Sequence, residues 1–135
     1  MILGIDPGER RVGVAAANRE TRMAWPVEVI DRDTTDPFLR IAKLADDLQV
    51  KQIVVGRPTG LSGKQGPAIA AQQFFIEQLR VATPIEVTEW DERLTTVIAE
   101  RAMLAAGASA SVRKGYRDAV AAQVMLQGYV DTAWR

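Results

Sequence analysis

Met1-Ile2-Leu3-Gly4-Ile5-Asp6-Pro7-Gly8-Glu9-Arg10-Arg11-Val12-Gly13-Val14-Ala15 opens the chain. Ile2 to Ile5 is a short continuous apolar run, the pattern of a buried strand, and it stops at Asp6. Pro7-Gly8-Glu9 supplies turn chemistry, since proline fixes φ and glycine accepts positive φ. Arg11 to Ala15 then predicts a second strand folding back as a hairpin. Met23 to Ile30 predicts a third strand, with Pro26 marking an edge or a bulge. The first half of the domain is therefore built from hairpins.

Beyond Ile30 the period changes. Asp36 suits an N-cap and Pro37 a first helical position, and Phe38, Ile41, Ala42, Ala45 and Leu48 keep the spacing of one buried helical face. Gln52 to Gly56 predicts a buried strand, Arg57 to Gly66 a long glycine-rich loop, and Pro67 to about Ala82 a helix. Ile85 to Trp90 predicts a strand and Leu94 to Ala106 a helix ended by Gly107. A basic loop through Gly115 and a last helix from about Tyr116 to Thr132 complete the chain. Strand-helix alternation implies parallel strands joined by right-handed crossovers. The expected fold is one α/β domain over residues 1–135, a mixed sheet with helices on both faces.

Composition narrows the chemistry. The chain has 135 residues, no cysteine, no histidine, and 17 basic against 17 acidic side chains. Without cysteine there are no disulfides, thiol nucleophiles or thiolate metal sites, and a reducing compartment, the cytoplasm, is the expected location. Without histidine there is no Ser-His-Asp catalysis, and zinc is disfavoured. No apolar run reaches the ~18 residues of a membrane span. What remains is carboxylates, arginine, lysine, hydroxyls, backbone amides and hard metal ions.

Three acidic positions stand out. Asp6 ends a core strand, where aspartate is unfavourable, although an Asx turn closing the hairpin explains it equally well. In Glu89-Trp90-Asp91-Glu92-Arg93-Leu94-Thr95-Thr96, one acid can cap the following helix, but three acids in four residues exceed that need. Asp118 shares a helical stripe with Ala122, Met125 and Tyr129, and is either a costly carboxylate facing the sheet or a first-turn acid at the positive helix end. Asp6 and the Asp91/Glu92 pair both fall at carboxyl ends of strands, where open α/β sheets place their ligands. Converging carboxylates of this kind suit Mg²⁺ or Mn²⁺. Two such ions about 3.5–4 Å apart stabilise the attacking and leaving oxygens of phosphodiester hydrolysis.

Gly4-Ile5-Asp6-Pro7-Gly8 with Arg10-Arg11-Val12-Gly13-Val14-Ala15, then Ile53-Val54-Val55-Gly56-Arg57-Pro58, Asp91-Glu92-Arg93-Leu94-Thr95-Thr96, and Asp118-Ala119-Val120-Ala121-Ala122 with Leu126-Gln127-Gly128-Tyr129, resemble the YqgF/RuvX family over nearly the whole chain. The resemblance implies an RNase H-like fold and a nuclease that either resolves Holliday junctions or matures the 5′ end of 16S rRNA precursor. It also implies Asp6, Glu92 (or Asp91) and Asp118 as metal-binding catalytic acids. Arg10 and Arg11 match the family's basic pair after the first acid, and Arg57 to Gly66 its variable loop. Pro7, Glu9, Ala17-Asn18 and Arg57 depart from the family pattern, and none of them removes a carboxylate.

Arg10, Arg11, Arg57, Lys64, Arg93, Arg113, Lys114 and Arg117 are the candidate nucleic-acid contacts, positioning a backbone without reading its sequence. A junction resolvase cuts two strands symmetrically and is expected to be a homodimer, whereas rRNA trimming makes no such demand. The rival expectation is an RNase H-like module that binds RNA or DNA during ribosome assembly or transcription without effective cleavage. An actin-like ATPase, suggested by Gly4-x-Asp6-x-Gly8 alone, needs a longer, duplicated chain. Trp25, Trp90 and Trp134 are expected in the core.

Overall fold

A computed structural model describes residues 1–57, 66–91 and 110–134, the last two segments without the side chains of 91 and 110–116. Five strands, β1 (Ile2–Pro7), β2 (Arg11–Asn18), β3 (Met23–Asp31), β4 (Gln52–Arg57) and β5 (Glu86–Asp91), form one sheet in the order β3-β2-β1-β4-β5. β3, β2 and β1 pair antiparallel, while β1-β4 and β4-β5 are parallel. The three described helices are α1 (Pro37–Asp47), α2 (Pro67–Ala82) and α3 (Ala110–Ala133). The mixed sheet expected from the hairpin half and the later alternation is thus the sheet observed. The expected helix over Leu94 to Ala106 lies outside the described residues.

Alternation of side chains along each strand sorts the two faces. Leu3, Ile5, Val12, Val14, Ala16, Ile53, Val55 and Val87 are buried with Ile41, Leu44, Phe75, Ile76 and Leu79 of α1 and α2. Ile2, Ala15, Ala17 and Val54 are buried on the other face with Ala122, Met125, Leu126, Val130 and Trp134, which places α3 there. Small residues on β2 let this helix lie close to the sheet. Asp36 caps α1 as expected, its Oδ1 accepting from the amides of Phe38 at 2.9 Å and Leu39 at 3.3 Å. Arg40 donates twice to Glu28 of β3, at 2.9 and 2.6 Å, fastening α1 to the sheet. That hydrogen-bonded charge raises the Arg40 guanidinium above its ordinary value.

Pro26 lies on edge strand β3, opposite the register shift between Val14 and Ala15, so both features expected of it are present. Trp25 beside it is 39% exposed and not in the core, whereas Trp134 is buried and Trp90 packs partly buried on the α3 face. Edge position explains Trp25, because among the described residues no strand pairs with β3 on its outer side. The larger correction concerns α3, which starts at Ala110 and not near Tyr116. Gly115 reads locally as a loop residue, yet one glycine inside a helix costs only about 1 kcal/mol relative to alanine. The packing of a 24-residue helix on the sheet outweighs that.

Polar side chains set the position of α3 along the sheet. The Gln127 side chain accepts from the Ala24 amide at 2.9 Å and donates to the Arg22 carbonyl at 2.9 Å, and Gln123 donates to the Ala24 carbonyl at 3.2 Å. On the opposite flank, Gln52 of β4 donates to the Tyr129 hydroxyl at 2.8 Å and to the Thr88 hydroxyl at 3.0 Å. Leu126, fully buried between them, sits over Gly4, where a Cβ would come within 2.8 Å of the leucine Cβ. Leu126→Ala is expected to lower unfolding free energy by about 2–5 kcal/mol. Adding Gly4→Ala to that variant should lower stability further, because the alanine at 126 keeps the Cβ that would lie 2.8 Å from the new methyl. Urea denaturation of the three variants measures both effects.

Candidate active site

Asp6 lies within the ladder of β1, not in the turn beyond it: its partner across the antiparallel pair is Gly13 of β2. Ile2 packs on the α3 face and Gly4 lies under Leu126, so the alternation of β1 carries Asp6 to that same face. Gly13 shares the face, and a Cβ built on it would overlap the backbone carbonyl oxygen of Asp118. Only glycine permits this approach. One cross-strand pair therefore brings the first acidic motif beneath the helix that carries the third.

Arg11, two residues before Gly13 on the same face, completes the group. Its Nε lies 3.2 Å from Oδ2 of Asp118, with side-chain exposures of 48% and 29%. Asp118 is not a first-turn acid, because α3 begins at Ala110, eight residues earlier. The helix-end explanation for this carboxylate is thereby removed. What holds it is its seat over Gly13 and the guanidinium of Arg11.

The remaining expected residues fall into four groups. Arg57 is exposed at the end of β4, in register with Asp91 at the end of β5, so both stand at the sheet edge where β1 ends with Asp6 and Pro7. Arg10 is exposed on the hairpin turn, and Arg117 is exposed on α3 beside Asp118. Arg113 and Lys114 are helical, correcting the expected loop. Ala110 to Asp118 spans about 12 Å of helix, which carries their backbone past Gly13 toward the open edge of the sheet. Lys64, Glu92 and Arg93 lie outside the described residues. Among the described residues, no three acidic side chains gather as a metal-binding group.

A family model described as RuvX, Holliday junction resolvase, matches residues 1–132. The chain belongs to the RuvX family. A relative from Halothermothrix orenii, named "Putative pre-16S rRNA nuclease", is 41% identical over 131 residues, covering 96% of this chain and 94% of the relative. A relative of the same name from Chloroflexus aggregans is 39% identical over 131 residues, covering 96% and 92%. Among solved structures, the chain is similar to T. thermophilus RuvC in complex with Holliday junction substrate, with TM-score 0.57, 16% identity and coverage of 98% and 94%. It is also similar to fowlpox virus resolvase in complex with substrate Holliday junction DNA, with TM-score 0.56, 10% identity and 99% coverage of both chains. At these identities the likeness is one of fold, the RNase H-like fold that the motifs imply. Nuclease is the activity named for the RuvX family and for these relatives alike.

Several residues that shape the candidate site in this RuvX-family chain are not apparent from motif spacing. Gly13 is the first, because its role depends on cross-strand register and on a helix more than a hundred residues away. Buried Gln72 of α2 is the second, donating to the Gly56 carbonyl at 2.5 Å and fixing the end of β4. Arg32 is the third: its amide donates to the Arg10 carbonyl at 2.8 Å and its Nη1 to the Gly8 carbonyl at 2.9 Å. The Arg32 guanidinium also lies over the Phe75 ring, 5.6 Å from its centroid. It braces the hairpin turn that follows Asp6. Of these, only Gly13 carries a hint in sequence, as a glycine inside an otherwise apolar strand. Among the described residues, no helix is long and apolar enough to cross a membrane.

Proposed function

We propose that the chain hydrolyses phosphodiester bonds of structured nucleic acid at Asp6 and Asp118, with Glu92 or Asp91 completing the acidic set. The observation that carries this reading is the seating of Asp118 over Gly13, the cross-strand partner of Asp6. Acids carried by one face of neighbouring elements fit a hard divalent ion: the donors are oxygens, and a cationic group, Arg11, already stands at Asp118. Mg²⁺ or Mn²⁺, expected as two ions, would supply charge neutralisation at the attacking and leaving oxygens of the phosphodiester.

The chain's own residues provide the rest. Asp6 is held in the strand ladder and Asp118 by its helix, so neither needs reorganising when substrate arrives. Arg10, Arg11, Arg57 and Arg117, with Lys64, Arg93, Arg113 and Lys114, hold the backbone of the nucleic acid around the acids. Exposed Arg57 offers a direct check. Arg57→Ala should weaken binding evenly across sequences and reduce the slope of log affinity against log salt by about one. Fluorescence anisotropy over a salt series reads this.

The names of the relatives at 41% and 39% identity favour 16S rRNA precursor as the substrate. The family description favours a four-way DNA junction, the second reading, for which two acid sites in a homodimer would be required. Incubating a pre-16S rRNA 5′ leader and a four-way junction in parallel, with wild type and Asp6→Asn, separates them. Wild-type cleavage of the leader, absent from the variant, supports the first reading. Symmetric junction cleavage by a dimer supports the second. Binding of both without cleavage across Mg²⁺ and Mn²⁺ titrations would replace the enzyme with a binding module.

A further inference from the structure

Arg11 has two claims on it. Its sequence position makes it a candidate phosphate contact, yet its guanidinium is turned onto Asp118, with Nε 3.2 Å from Oδ2. It shares the α3 face of β2 with Gly13, and so stands beside the Asp6-Gly13 pair over which the backbone of Asp118 lies. Arg11 is exposed and Asp118 half-buried, at 48% and 29% of the side chain. Pairs of that exposure are weak and exchange readily for a better partner. A divalent ion carries twice the charge and binds carboxylate oxygen more strongly. A phosphodiester in turn matches the planar guanidinium fork better than a single carboxylate oxygen does.

We propose that Arg11 is the exchangeable counter-cation of the acid site: it holds Asp118 in the absence of metal, competes with metal for that carboxylate, and passes to the nucleic-acid phosphate when metal takes its place. The inference rests on the Asp6/Asp118 reading above and adds to it an order of events. Metal and substrate then favour one another through a single side chain. Metal frees the arginine for phosphate, and phosphate draws the arginine away from the metal's ligand. By linkage the coupling is reciprocal in binding.

The test is Mn²⁺ binding without nucleic acid, read from the electron paramagnetic resonance signal of free Mn²⁺, for wild type, Arg11→Ala, Arg11→Gln and Arg11→Lys. Removing the competing charge should tighten Mn²⁺ binding about two- to fivefold in both neutral variants, as expected for loss of an exposed pair. Arg11→Lys, which keeps the charge, should bind Mn²⁺ as wild type does. A second titration with saturating nucleic acid, read before cleavage and with the Mn²⁺ taken up by that nucleic acid alone subtracted, should show tighter Mn²⁺ binding in wild type and no such gain in Arg11→Ala. Unchanged or weaker Mn²⁺ binding in the neutral variants overturns the proposal and makes Arg11 a simple prop for Asp118. Asp6→Asn and Asp118→Asn serve as controls. If wild-type Mn²⁺ binding survives both of them, the metal site itself is misplaced, and the exchange proposal falls with it.

Discussion

Asp6→Asn is expected to abolish metal-dependent cleavage while leaving the fold intact. The substitution keeps the volume and leaves Asp6's place in the β1-β2 ladder, which is a backbone property, unaltered. It removes one anionic oxygen from the pair that would hold the metal. Metal stabilisation of transition-state charge is worth several kcal/mol, and a loss of ~4 kcal/mol corresponds to about 10³-fold in rate. Asp118→Asn should have an effect of the same order. Because the two acids serve one site, the double variant should be little worse than either single one. Single-turnover cleavage at saturating Mg²⁺, beside a thermal melt of each variant, measures this. Near wild-type cleavage by Asp6→Asn would remove Asp6 from the site.

The second large effect is expected from a residue with no side chain. A methyl on Gly13 would overlap the Asp118 carbonyl oxygen, a backbone atom of a helix pinned at both flanks by Gln123, Gln127 and Tyr129. Gly13→Ala must therefore push α3 off the sheet at the one place where its displacement separates Asp118 from Asp6. Overpacking of this kind costs about 1–3 kcal/mol of stability. Displacement by ~1 Å can cost on the order of 10²-fold in rate. Gly4→Ala is the matched control, since it crowds the same helix at Leu126, eight residues or about 12 Å further along. It should lower the melting temperature yet keep most activity. Equal loss of activity in both would mean that the helix responds as a whole and that Gly13 has no special part.

The difference between these glycines shows where sequence reading succeeds and where it stops. The hairpin half, the Asp36-Pro37 helix start and the buried strand ending at Gly56 are governed by local period and turn chemistry, and each is legible in residues close together in the chain. The bulge opposite Pro26 belongs to the same class. The start of α3 is different. Ala110 to Gly115 lacks a strong helical stripe, and the helix forms there because a long apolar stripe follows and packs on the sheet. The exposure of Trp25 depends on strand order, which a run of residues does not contain.

The candidate site divides in the same way. Asp6 and Asp118 are visible as acids in apolar settings, and their family motifs mark them further. That the backbone of Asp118 lies over the strand partner of Asp6 is not visible, since it depends on the register that pairs Asp6 with Gly13 and on close helix packing. The attachment of Arg11 to Asp118 is hidden for the same reason. Zero net charge likewise conceals local structure, since Arg10, Arg57 and Arg117 are all exposed, on the hairpin turn, at the end of β4 and on α3 beside Asp118.

The central claim is that a divalent ion binds where the end of β1 meets α3. Mn²⁺ titrated into isotopically labelled protein tests it without any substrate, because bound Mn²⁺ broadens only nearby amide resonances. Substoichiometric Mn²⁺ should erase the signals of Asp6, Gly13 and Asp118 first while the far end of α3 stays sharp, and should leave all of these signals sharp in Asp6→Asn. Broadening centred elsewhere, or a pattern unchanged by that substitution, would contradict the account.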